Sequence, residues 1–319
     1  LYHNVEIIES IITTQNELSS NREKWEKKYC KYLAGTIQYK QGIADRRSKF
    51  HKWGGLSVYS SIGKAYKNSS CFDIRYQGQS VGEIKVVNND EVYLNINADH
   101  DSRSRKHFAN YPDNIKIGKH KWTSPVGRAF RKFFSSSLEK QGHPEHRFEN
   151  LLLREFHKSS RIDKSITQIQ PVTLVKDVFF QMPTPLTASK DEIKYSETGK
   201  GGIDILARYK HHLTLFELKD EYKSSEGPDK VIKQALAYAT FVVELSKTEY
   251  GGLFWDLCGI RDPKNRKYIN VCILMPDPND DSVPSFAEDE IEVPNSDFKF
   301  KLHYMFFDKE TVKVTRTSL

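Results

Sequence analysis

The chain has 319 residues, 38% of them apolar and 29% charged, and a formal net charge of +7. That composition belongs to a folded globular protein and excludes a disordered or low-complexity chain. No apolar run reaches membrane-spanning length and the first residues lack a signal-peptide pattern, so the expectation is a cytoplasmic protein with no membrane partner.

The length predicts two domains, placed at 1–140 and 141–319. Residues 2–34 read as helical, with Val5, Ile8, Ile11, Ile12, Leu18, Trp25, Tyr29 and Leu33 between charges, and as packed against a domain. Short β-prone runs separated by Gly, Asn and Ser fill 55–97, giving the first domain an α+β character. From Asp101 to Lys140 there are ten Lys/Arg against three Asp/Glu, with aromatics interleaved. A helix opening at Pro125 would gather Arg128, Arg131 and Lys132, either as a surface that tracks a nucleic-acid backbone or as the solvated side of an apolar helix. Ser135 to Pro144 reads as a boundary. Beyond it, Phe148, Leu151, Leu152 and Phe156 mark one face of a helix that begins near Glu145.

Val172 to Met182 is expected as a strand, and Thr184–Lys200 as a long polar loop. Ile203–Tyr209 and Leu213–Leu218 form two further strands about a turn at Lys210-His211-His212. Gly227-Pro228-Asp229 opens about twenty residues of helical pattern, with Pro suited to the first turn. Gly252–Ile260, Tyr268–Met275 and Phe298–Phe307 read as strands, the second being the better candidate to complete the sheet. Pro276–Asp297 holds eight acidic residues and no Lys or Arg, read as a solvated loop. Cys30, Cys71, Cys258 and Cys272 lack the spacing of a zinc site or disulfide framework.

The chemistry concentrates at Asp204, Glu217 and Lys219. A hairpin centred between Lys210 and His211 makes Asp204 and Glu217 equidistant from the turn and so opposite each other. Lys219, two residues past Glu217, shares its face. Two carboxylates and an ammonium on one sheet face suit a divalent metal, since Mg²⁺ needs only one or two carboxylates beside waters and a substrate phosphate. Asp204 followed by Glu217-Leu218-Lys219 resembles the PD-(D/E)xK nuclease superfamily. Gln234-Ala-Leu-Ala-Tyr238 fits the Gln-x-x-x-Tyr helix of its RecB- and Cas4-like branch, and one helical turn puts Gln234 and Tyr238 on a common face.

The resemblance implies an α/β fold: a restriction-endonuclease-like mixed-sheet core, in the order αβββαβ, behind the α+β N-terminal domain. It implies Mg²⁺ or Mn²⁺ held by Asp204, Glu217 and the Leu218 carbonyl, with Lys219 assisting the attacking water. Gln234 would orient the lysine or a phosphate, and Tyr238 would support that group on the nucleic acid or pack. A helix-borne acid is expected at Glu145, with Glu149 as the alternative. The implied activity is hydrolysis of nucleic acid, DNA ahead of RNA, in defence, restriction or repair; self-association is compatible with it. Asp73 and Glu83-Ile84-Lys85 repeat the spacing, but another strand-like run follows rather than a helix, so they read as an ordinary β-meander with solvated charges. Two rival readings are a nucleic-acid-binding module with structural carboxylates and a scaffold that assembles through its N-terminal helices.

Overall fold

The computed structural model describes residues 2–51, 55–88, 90–136, 143–158, 169–188, 192–197, 201–222 and 227–319. In chain order come α1 (Tyr2–Ser20), α2 (Arg22–Gln38), α3 (Lys40–Arg47), β1 (Leu56–Ser60), β2 (Ala65–Tyr66), β3 (Ser69–Tyr76), β4 (Gln79–Val87) and β5 (Glu91–Ile96). Next are α4 (Ala98–His107), β6 (Gly118–Lys121), α5 (Pro125–Ser135), α6 (Pro144–Lys158), β7 (Ile169–Pro171), β8 (Phe179–Phe180), β9 (Met182–Thr184), β10 (Leu186–Ala188) and β11 (Ile193–Tyr195). The chain ends with β12 (Gly201–Ile203), β13 (Ile205–Tyr209), β14 (His212–Leu218), α7 (Pro228–Ser246), α8 (Gly251–Cys258), β15 (Tyr268–Pro276), β16 (Glu290–Glu292), β17 (Lys299–Phe307) and β18 (Val314–Thr317). The fold is mixed α/β.

Two compact units form, and the chain passes between them more than once. One comprises Leu1–Ala34, Arg154–Val172 and Gln181–Leu319; the other comprises Gly35–Leu153 and Thr173–Phe180. The expected division at 140/141 is therefore not the division of this structure. The N-terminal helices belong with the C-terminal strands, and most of the expected boundary, 137–142, lies outside the described residues.

The unit around 35–153 is built on a sheet in the order β6-β5-β4-β3-β1-β8, with β2 against β3. Strand β3 alternates buried and half-buried, turning Phe72 and Ile74 into the core. The β3–β4 turn places Gln77 and Gly78 at φ 47° and 81°, the left-handed pair that tight hairpins require. A Cβ on Gly78 would meet the His146 carbonyl oxygen at 1.9 Å, so glycine is needed twice over. Asp73 lies across from Glu83 in the meander, as expected of the repeated spacing. Its two acids are ion-paired while still partly exposed, Asp73 with Arg75 at 2.6 Å and Glu83 with Lys64 at 3.3 Å, and Lys85 is exposed. Helix α5 is capped by Ser124, which accepts the Gly127 N–H, and it buries Phe130 and Phe134.

The other unit is built on a sheet in the order β16-β17-β15-β14-β13-β7, with β18 against β17. Its centre, β14-β15-β17, is parallel, and β15 is buried from Ile269 to Pro276, as a strand covered on both faces must be. Helix α7 is buried along most of its length. Helices α1 and α2 explain why: they bury Ile7, Ile11, Leu18, Trp25, Tyr29 and Leu33, and Trp25 and Tyr29 meet Phe241 of α7 edge-on at 5.6 and 5.0 Å. Val5, Ile8 and Ile12 remain exposed.

Two expected strands differ. The strand beside β13 is Ile169–Pro171, not Val172–Met182, because Asp177 at φ 61° breaks the latter run. That run instead supplies β8 to one sheet and Met182 to the β9–β12 pair. Gly252–Ile260 is helical as α8, ended by Gly259 at φ 72°. An apolar run of that length has no decisive period. Strands β9, β10 and β11 occupy much of the expected Thr184–Lys200 loop, of which 189–191 and 198–200 lie outside the described residues. Among the described residues no helix is long and apolar enough to cross a membrane.

Candidate active site

The β13–β14 hairpin closes through Lys210 and His211, with Tyr209 opposite His212 and Ile205 opposite Phe216. Asp204 sits one residue before β13, in line with Glu217. Its Oδ2 accepts the Leu218 N–H at 2.8 Å and so ties the entry of one strand to the end of the other. Further along, the Lys219 N–H donates to the Leu274 carbonyl of β15 at 2.9 Å. Successive amides of a strand point to opposite sides, and the amide and carbonyl of one residue point the same way. The Leu218 carbonyl therefore lies on the Asp204 side.

Glu217 is buried among Leu215, Phe216 and Leu218, and its Oε1 accepts from Lys219 Nζ at 2.8 Å. A carboxylate in so apolar a place requires a countercharge. Lys219 keeps 18% of its side-chain surface exposed against 3% for Glu217, so the ammonium faces outward while the acid is enclosed.

Helix α7 supplies the remaining groups. Gly227 caps it in an extended conformation and Pro228 takes the first position, where no amide is missed. Gln234 and Tyr238 follow on one face, one helical turn apart. Burial raises the Tyr238 hydroxyl well above the ordinary phenol range. The charges of Glu217 and Asp204 add to this, while Gln234 and Lys219 oppose it. Tyr238 thus lies within electrostatic reach of all three charged residues. The Asp204, Glu217 and Lys219 cluster expected on one sheet face and the Gln234 and Tyr238 pair expected on one helix face lie in electrostatic reach of each other.

Two carboxylates and a carbonyl do not make an all-protein cage, and among the described residues no group of three His, Cys, Asp or Glu could hold a metal. The donors fit a hard, oxygen-seeking ion that keeps waters and completes its shell with substrate phosphate; they do not fit a structural zinc.

Other expected residues belong to the unit around 35–153. Glu145 occupies the first turn of α6, half-buried, where a helix N-terminus favours an acid. Glu149 is buried, with Arg75 at 3.7 Å and the His146 ring at 3.6 Å. Arg128 is exposed and donates to the Thr123 carbonyl, and Lys132 is exposed. Arg131 lies over the Trp122 ring at 4.4 Å and donates to the Trp122 carbonyl at 2.5 Å, so it is anchored in its own unit. The Asp204–Leu218 hydrogen bond was not foreseen; the equal distance of Asp204 and Glu217 from the turn was its signal. Comparison with protein-family models, curated proteins and solved structures gives no match to this chain.

Proposed function

We propose that the protein is a metal-dependent nuclease that hydrolyses phosphodiester bonds in nucleic acid, DNA ahead of RNA. The observation that carries this reading is the convergence of Asp204, Glu217, Lys219, Gln234 and Tyr238 at the open end of one hairpin. The adjacency β7-β13-β14-β15, with α7 following β14, supports it as well, being part of the order that the PD-(D/E)xK resemblance leads one to expect, with β8–β12 and α8 inserted between those elements in the chain. Asp204, Glu217 and the Leu218 carbonyl would hold Mg²⁺ or Mn²⁺, which supplies charge neutralisation at the phosphate and lowers the pKa of water. Lys219, outward of the enclosed Glu217, is positioned to hydrogen-bond a phosphate oxygen or the attacking water. Gln234 would orient the lysine or a phosphate, and Tyr238 would support that group from the same helix face.

A second reading, a nucleic-acid-binding module, draws on the 2.8 Å Glu217–Lys219 pair as a structural contact. One experiment separates the two. Plasmid, linear duplex, single-stranded DNA and RNA are incubated with Mg²⁺, Mn²⁺ or EDTA and wild type, Asp204→Asn, Lys219→Ala or Lys49→Ala. Lys49 is an exposed partner of Asp90 at 3.3 Å, so its loss is nearly neutral. The nuclease reading expects metal-dependent cutting that falls at least about 100-fold in the first two variants and persists in the third. Salt-sensitive binding without cleavage by any protein favours the module.

A further inference from the structure

The turn end of the same hairpin carries a pocket of different character. Its volume is about 220 Å³, and Arg208, Lys210, His211, Arg261, Asp262 and Asn265 line it. Arg208 is held in place: Nη1 donates to the Gly259 carbonyl at 3.1 Å and Nη2 to Gln170 Oε1 at 2.8 Å. These contacts use two of the five N–H donors of a guanidinium. Gly259, at φ 72°, makes the room, since a Cβ there would stand 2.6 Å from Arg208 Nη1. Lys210 at the turn and Arg261 beyond α8 are both exposed. The acid at the rim, Asp262, accepts the Lys264 N–H at 2.9 Å as the cap of a short 3-10 turn. Among the described residues none of Arg208, Lys210 and Arg261 is ion-paired.

Three cations line the pocket against one carboxylate, Asp262, so the lining carries an excess of positive charge that a bound anion would balance. We propose that this pocket binds a phosphate monoester. A fixed guanidinium offers the planar fork that phosphate oxygens accept, and Lys210 and Arg261 supply the further charge of a dianion. A carboxylate ligand would leave that further charge unmatched. The volume lies below the roughly 300–1,000 Å³ of pockets that enclose drug-sized ligands, so it suits a phosphoryl group with its sugar. The inference is independent of any hydrolysis at Asp204.

Binding is measured by isothermal titration calorimetry and thermal shift on the full chain. The probes are inorganic phosphate, 5′-AMP, adenosine, and one single-stranded oligonucleotide bearing either a 5′-phosphate or a 5′-hydroxyl. The variants are Lys210→Ser/Arg261→Ser, whose side chains are exposed and leave the core untouched, and Arg208→Lys, which keeps the charge and loses the fork. Saturable binding of phosphate-bearing probes, absent with adenosine and weakened about 100-fold by the double variant, is the expected result, at about tenfold per charge-assisted contact. Preference for 5′-AMP over the phosphorylated oligonucleotide identifies a free nucleotide as the source, and the reverse preference a nucleic-acid end. Equal binding of 5′-AMP and adenosine, no binding of any phosphate-bearing probe, or undiminished binding by the double variant overturns the proposal.

Discussion

The Asp204 carboxylate holds the Leu218 amide, so asparagine and alanine at this position have different consequences. Asp204→Asn keeps an acceptor for that amide, and its thermal midpoint is expected to match wild type while cleavage is lost. Asp204→Ala is expected to lose cleavage and, in addition, about 1 kcal/mol of stability, read from urea unfolding. A second residue gives a pH signature. His303 is buried, and its imidazole is lowered to about 4 by that burial, with Lys301 and Lys210 acting in the same direction. Below the ordinary histidine value of about 6.5, the unfolded chain takes up a proton that the folded chain refuses. The contribution, on the order of 3 kcal/mol, is therefore present above pH ~6.5 and lost as pH falls to about 4. Urea midpoints between pH 4 and 7 are expected to fall toward acid, and His303→Gln to flatten that limb. Residues of one hairpin were legible because the strand period relates Asp204, Glu217 and Lys219 through a single turn. Glu149 was not: its partner Arg75 is more than seventy positions earlier, and no local period connects them.

At the scale of elements, α7 is the piece on which both the candidate site and the core depend. It carries Gln234 and Tyr238 and, at i+7 from Gln234, Phe241, which Trp25 and Tyr29 meet edge-on. Trp25 also donates its indole N–H to the Leu18 carbonyl at 2.8 Å. Trp25→Ala is expected to cost about 3–5 kcal/mol in chemical denaturation, with Trp25→Phe recovering much of it. Helix α7 could be read from its Gly-Pro opening and unbroken pattern, and β15 from its apolar run. Helix α8 could not, because Phe254, Trp255 and Leu257 fill a stretch too short to distinguish 3.6 from 2, and the left-handed Gly259 that ends it is equally at home in a hairpin. Strand β7 was missed for a related reason. Ile169–Pro171 is brief, and the stronger apolar signal lies just after it.

Across the whole molecule, the interleaving of the two units makes the expected domain boundary a poor place to cut. A chain of residues 141–319 lacks the helices that bury α7, leaving an apolar helix face against water. It is expected to lack near-UV circular dichroism and a cooperative urea transition, whereas the full chain has both. That organisation was hidden because helical periodicity tells which face of 2–34 is apolar and says nothing of which later segment will cover it.

The same arrangement imposes an order of events on the ribosome. Trp25 and Tyr29 leave the exit tunnel roughly two hundred residues before Phe241, a wait of roughly ten to forty seconds at ordinary elongation rates. Throughout that interval α1 and α2 lack the α7 surface against which Trp25 and Tyr29 pack. Only when α7 emerges can they dock. A translation product that stops short of it can complete the unit of 35–153 and 173–180, but it lacks Gln234 and Tyr238 and the surface on which Trp25 and Tyr29 dock.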